Sequence, residues 1–293
     1  MNAVVVNGLF VGLVYALLGI GLVIAYRGSR VVNFAHGETG MVAAFLFADI
    51  RHGTAQVTLQ VADRGLWLAL PAAVLVGAAI GALTEYFVVR PLRDAPRIRP
   101  LVGTFALGSL LLVFAIRRWG TEPRFVAPLR EGVGVEVLGL RVQPQQLIIL
   151  VVTAAVLVAL WALQRFTPFG LRLRATAMDP YGAGLVGVDV NRTSLATWAL
   201  AGALAGVAAV LIAPLVAFRT VFMTILFIRA LAAAVVGGLT SIWGTVAAGV
   251  AVGILEGVIS YASPVSGVTD VLVAGAVIVL MLFRPAGLVR SAY

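Results

Sequence analysis

From Met1 to Tyr26 the chain carries no charged residue. As an α-helix, residues 4–26 rise roughly 34 Å, enough to cross the hydrocarbon core of a bilayer. The rest of the chain has the same character. Of its 293 residues 61% are hydrophobic and only 11% charged, whereas a soluble domain carries about a quarter charged residues. So little polar surface cannot cover a globular protein, so lipid is the expected solvent. A membrane barrel would alternate apolar and polar residues. The runs here are solidly apolar, which predicts helices. The first run lacks a basic leader and is too long for a secretory signal core, so it is expected to be a retained helix.

Charge-poor runs mark the expected spans at 4–26, 35–47, 66–89, 101–116, 147–164, 194–216, 221–236, 242–260 and 271–283. Arg229 interrupts the seventh and Glu256 lies in the eighth. The fold class expected is an all-α polytopic membrane protein. It has eight to ten transmembrane helices, some short or re-entrant, and residues 1–293 form a single membrane domain. Gly8/Gly12, Gly77/Gly81, Gly202/Gly206 and Gly249/Gly253/Gly257 have the spacing that lets helices approach closely. The formal net charge of +9 is read as cationic loops on the cytoplasmic side rather than as a nucleic-acid surface. Placing the basic loops 27–30, 90–99, 165–192 and the tail inside puts the N-terminus outside and requires nine spans. The 117–141 segment then lies outside in spite of its five arginines.

Several chemistries are excluded by residue type. Every basic residue is Arg, so the Lys of a phosphate-binding Walker A loop is missing. There is no Cys, and two His are too few for a histidine-rich metal site. No His-Glu-x-x-His motif or Gly-x-Ser-x-Gly elbow occurs, so no enzyme activity is expected.

Polar residues between or within the apolar runs are the candidates for function. Asn33, His36, Gly37 and Glu38 stand between the first two spans. They can line a passage at a helix break, as in transporters with discontinuous helices. Equally, they can pin the second helix, with Asn33 as N-cap and Gly37 relaxing the backbone. Intramembrane charges such as Glu256 and Arg229 are functional candidates by default, against the alternative of an interhelical ion pair. Glu85 is read as interfacial. In the 165–192 loop, Asp179 before Pro180 predicts an N-cap followed by the first helical residue. The short helix is weakened by Gly182 and Gly184 and stops near Gly187. A short helix in a large loop suits docking into a partner's groove, or is a plain amphipathic surface helix. An ion-coupled transporter using Glu38, Glu256 or Asp270 is the rival reading.

These residues together resemble the LivH-type permease of branched-chain amino acid ABC importers, over most of the chain. The likeness runs from Gly19-Ile20-Gly21-Leu22 through Asn33-Phe34-Ala35-His36-Gly37-Glu38. It continues in 174–192, including Ala183 and Gly187, and in Val236-Gly237-Gly238-Leu239 with Ser241, Gly244 and Glu256. It ends in Phe283-Arg284-Pro285-Ala286-Gly287-Leu288. The family usually has an acid and an Ala where this chain has Tyr181 and Gly182. Permeases for urea or short amides share much the same motifs.

The resemblance implies a permease in the bacterial cytoplasmic (inner) membrane. It implies a second, related or identical permease subunit, two ATPase subunits that bind the ATP, and an extracytoplasmic substrate-binding protein. No cofactor or metal is implied in this chain, and no nucleic acid. The ATPase-coupling segment would comprise Asp179, Pro180, Gly182, Ala183 and Gly187. The outer 117–141 segment would receive the binding protein.

Overall fold

A computed structural model of the chain describes residues 2–52, 65–96, 98–130, 132–137, 140–262, 271–272 and 274–275. Its helices in order are α1 (Asn2–Ser29), α2 (His36–His52), α3 (Leu66–Thr84), α4 (Ile98–Trp119), α5 (Pro144–Phe166), α6 (Pro168–Met178), α7 (Pro180–Leu185), α8 (Val190–Ile212), α9 (Phe222–Gly237) and α10 (Ile242–Ala262). A π-helical turn, Glu85–Val89, and a 3₁₀ turn, Arg90–Leu92, continue α3. Strands β1 (Val135–Val137) and β2 (Leu140–Val142) pair antiparallel, with Glu136 opposite Arg141.

Six described helical stretches are long and apolar enough to cross a membrane: Ala3–Ser29, Leu66–Leu92, Ile98–Trp119, Pro144–Phe166, Val190–Leu215 and Ile242–Ala262. Helix α9 is apolar but shorter. The expected 271–283 span and the 283–288 motif lie outside the described residues, apart from 271–272 and 274–275. Helix α3 with its π-helical extension, α4 and α5 turn large apolar side chains outward, among them Trp67, Leu75, Phe87, Phe105, Leu110, Val151 and Val158. Contiguous outward faces of this kind are stable against lipid, not water.

Contacts divide the chain into two compact units. One takes its residues from Met1–Val23, Pro128–Val158 and Phe227–Tyr293. Its frame is α1 against α10, running antiparallel. Gly8 faces Gly253, Gly12 faces Gly249, and Gly19 meets Thr245. A methyl group built on Gly8 or Gly12 would stand 2.7 Å from the carbonyl oxygen of Gly253 or Gly249. The backbones are therefore already in contact, and only Gly fits. Ala233, Val236 and Ala248 form a small apolar cluster between α9 and α10. At the start of α5, Gln146 Nε2 donates to Asn7 Oδ1 on α1 at 3.2 Å.

The other unit comprises Ile24–Ala127 and Ala159–Leu226. Here α8 is largely buried and packs along α3, with Gly202 against Gly77, Gly81 against the Trp198 carbonyl and Gly206 against Ala73. Trp198 is fully buried with Ala25, Val89 and Ala201. Its indole N–H donates to Ser29 Oγ at 3.1 Å, which satisfies the one polar atom of a large apolar side chain.

Four local readings need correction. Residues 168–178, read as loop, form α6. Thr167 Oγ1 accepts from Gly170 N at 3.3 Å and Pro168 takes the first position, the same cap-then-proline signal as Asp179-Pro180. Helix α4 starts at Ile98 rather than 101, because Pro100 sits in the first turn, where its missing N–H costs nothing. The 117–141 segment holds most of the antiparallel β1–β2 pair, so the described residues are helical with one small ribbon. Finally, α2 begins at His36, so Asn33 is not its N-cap. Asn33 Oδ1 instead accepts from Ala35 N at 3.0 Å, fixing the turn that leads into the helix.

Candidate functional site

Three polar constellations carry the candidate residues. The first is the break between α1 and α2. Arg30 adopts a positive φ of 59° and turns the chain, and its guanidinium donates to the Ala177 carbonyl of α6. Phe34 N donates to Thr104 Oγ1 of α4 at 3.2 Å. Asn33, His36, Gly37 and Glu38 are all buried. Glu38 Oε1 accepts from Thr224 Oγ1 at 2.9 Å, so α9's first turn is tied to α2. Gly108 lets α4 pass beside the break; a methyl there would meet Ala35 Cα at 3.3 Å and Glu38 Oε2 at 3.5 Å. The break is thus held from α4, α6 and α9 at once.

The second constellation is the α6–α7 segment. Asp179 Oδ1 accepts from Tyr181 N at 3.0 Å, capping α7, and Pro180 opens it. Gly187 has φ +84° and closes it. Gly187 N donates to Gly184 O and Val188 N to Ala183 O, each at 3.0 Å. That reciprocal pair is the Schellman ending that an αL glycine permits. Ala183 is buried and anchors the helix, while Tyr181 (78% exposed), Leu185 and Val186 project outward. A one-and-a-half-turn helix this short is not stable alone; its two caps and the buried alanine hold it.

The third joins residues that the sequence lists far apart. Tyr15 OH donates to Glu256 Oε2 at 2.7 Å. Arg229 Nη1 lies 3.0 Å from Glu256 Oε1 and donates to Tyr15 OH at 3.2 Å. Glu256 therefore joins α10 to α1 and α9 within the unit that holds Met1–Val23. Arg229 and Glu256 form the interhelical ion pair that was one of the two readings. Nothing in the sequence pointed to Tyr15, an uncharged residue in an unbroken apolar run.

Two further clusters hold the ends of helices. Asp49 at the end of α2 accepts from Trp119 Nε1 at 2.7 Å and pairs with Arg118 and Arg124 at 3.4 Å each. Arg124 N in turn donates to Phe218 O at 2.8 Å. Glu85, expected at an interface, is fully buried and paired with Arg93 at 3.1 Å. Arg93 also reaches Asn191 in the first turn of α8. Among the described residues no group of three or more His, Cys, Asp or Glu could hold a metal.

Long apolar helices with outward apolar faces, crossing on glycines and enclosing a charged pair, define a multi-pass α-helical membrane protein. The chain belongs to the family of permease components of branched-chain amino acid transport systems, whose model matches residues 4–282. It is 30% identical over 202 residues to the high-affinity branched-chain amino acid transport system permease protein BraD of Pseudomonas aeruginosa, covering 68% of this chain and 66% of that one. It is 28% identical over 205 residues to LivH of Escherichia coli K12, with 67% and 65% covered. To a probable LivH of Methanocaldococcus jannaschii it is 30% identical over 197 residues, with 64% and 58% covered. The match thus spans just under two thirds of the length of the first two relatives and less of the third. No solved structure matches the chain.

Proposed function

We propose that this chain is the membrane permease subunit of an ATP-binding-cassette importer that moves branched-chain amino acids into the cytoplasm. The family match over residues 4–282 carries the reading. The chain acts as one permease domain, 1–293, in the bacterial inner membrane, with eight to ten spans and its N-terminus outside. It works with a second permease subunit, two ATPases and an extracytoplasmic binding protein, and does no covalent chemistry itself.

The α6–α7 segment is the surface on which the ATPase acts. The two-ended cap from Asp179 to Gly187 keeps Tyr181, Leu185 and Val186 presented as one apolar face, and such a face fits a groove. Through the Arg30–Ala177 bond a push on α6 reaches the α1–α2 break directly. The Asn33–Glu38 break is then the place where the bundle bends, with Glu38 and Thr224 as the polar contact that shifts.

ATP-driven uptake by the reconstituted complex, fed by its binding protein, tests the reading. Labelled leucine is taken up and labelled urea is not. Uptake of urea instead would make this an amide importer, and leucine uptake driven by an ion gradient without ATP would overturn the assignment.

A further inference from the structure

The Tyr15–Arg229–Glu256 triad sets two charges among apolar helices. Tyr15 is the midpoint of α1 (Asn2–Ser29), roughly 20 Å of helix from either end, while Glu256 lies within the last two turns of α10 (Ile242–Ala262). A buried ion pair is commonly no more stable than apolar side chains of the same volume, and lipid makes unpaired charge costlier still. The α1–α10 crossing does not depend on the pair, because it is closed by backbone contact at Gly8/Gly253 and Gly12/Gly249. Packing alone therefore gives no reason for charge here.

Glu256 is also part of a cavity wall. A cavity of about 460 Å³ runs between the first turns of α1 and the last turns of α10, lined by Asn7, Val11, Gly253, Glu256, Ser260 and Tyr261 among others. It is an open groove with Asn7, Glu256, Ser260 and Tyr261 as its polar lining and Val4 and Val11 on its apolar side. Of the triad Glu256 lines the cavity directly; Arg229 and Tyr15 adjoin it through their bonds to Glu256 at 3.0 and 2.7 Å, and Arg229 and Glu256 keep 17% and 18% of their side chains exposed.

We propose that this cavity and triad form the site through which the head group of an α-amino acid passes, a proposal that rests on the transport reading above. A zwitterion carries one ammonium and one carboxylate. Glu256 is an acceptor for the ammonium, and Arg229 is a planar donor for the carboxylate. Tyr15 OH, donor to one and acceptor from the other, can follow either as the pair opens. Empty, the two charges neutralise each other. Filled, each is neutralised by the substrate, so no net charge enters the membrane in either state. Val11 and the neighbouring apolar wall receive the branched side chain. Urea offers no charges to exchange, so the same site gives it no such compensation.

The test uses the complete complex with its binding protein, turning over a diazirine analogue of leucine under light. Mass spectrometry then maps the label, alongside uptake of labelled leucine. The expected label falls on residues 7–11 or 253–261. At equal amounts of assembled complex, Glu256→Gln lowers both label and uptake roughly ten-fold or more, the size seen when one member of a buried charge pair is removed. Glu256→Asp, which keeps the carboxylate, restores part of both. Leucine uptake by the unaltered complex with label only elsewhere overturns the site and leaves the transport reading standing. So does undiminished labelling in Glu256→Gln. No leucine uptake by the unaltered complex overturns the transport reading itself.

Discussion

Asp49 binds more of its surroundings than its place near the end of a helix suggests. Its two oxygens serve the Trp119 indole and the guanidinium groups of Arg118 and Arg124. Asp49→Ala leaves a buried indole N–H and a half-buried Arg124 without their acceptor, which costs about 1–3 kcal/mol. The expected result is a lower melting temperature in detergent, with a smaller loss for Asp49→Asn, which still offers Trp119 an oxygen. Equal melting of all three proteins would show that the cluster does not bear load. At the other exposed end, Gly187 holds φ +84°, a conformation costly for any residue with a Cβ. Gly187→Val or Asp179→Arg is expected to cut ATP-driven uptake several-fold with membrane levels unchanged. For the cap alone, a loss of about 1 kcal/mol follows from removing the Asp179 oxygen. Normal uptake in both variants would refute the coupling role. These two residues were legible beforehand, because a cap and a helix-ending glycine act on neighbours within a turn. Asp49 was not, since its partners come from another helix.

Helix crossings give a sharper contrast. A methyl added to Gly202 would stand 2.0 Å from the Gly77 carbonyl oxygen, while one added to Gly184 in α7 has nothing within 4 Å. Gly202→Val must push α3 and α8 apart, and overpacking of this kind costs typically about 1–3 kcal/mol. Gly184→Ala instead gains helix propensity, about 0.5–1 kcal/mol. The expected outcome is protease-sensitive, poorly recovered protein for Gly202→Val and full recovery for Gly184→Ala, read by gel filtration and limited proteolysis. Recovery in the reverse order would mean that the glycine crossings are loose. The four glycine runs were visible as spacing alone. Which run meets which was not, because small-residue spacing marks a face without naming its partner. Helix α6 was missed although Thr167-Pro168 carries the same signal as Asp179-Pro180. Its Leu171-Arg172-Leu173-Arg174 alternation hides the helical period.

At the scale of the whole molecule, the chain's complete lack of Cys makes orientation directly testable. With the N-terminus outside, Tyr181→Cys reacts with a membrane-impermeant maleimide only from the cytoplasmic side and Glu122→Cys only from outside. Both side chains are exposed, so labelling from the opposite sides would invert the topology. The five arginines of 117–141 looked discordant for an outer segment under the positive-inside rule. Two arginines at that end of the molecule, Arg118 and Arg124, are taken up by Asp49.

The membrane class, the helical character, the loop helix with both its caps, and the family all follow from runs of adjacent residues. Hydropathy, capping and motif spacing act over one to a few turns, so they survive in a linear reading. The charged triad does not. Tyr15 and Glu256 are 241 positions apart and Tyr15 and Arg229 are 214 apart. Whether they meet depends on how far α1, α9 and α10 are rotated and slid against one another. That choice is made by glycine faces closing backbone to backbone, so only the tertiary structure could bring two isolated charges and a tyrosine into one cluster.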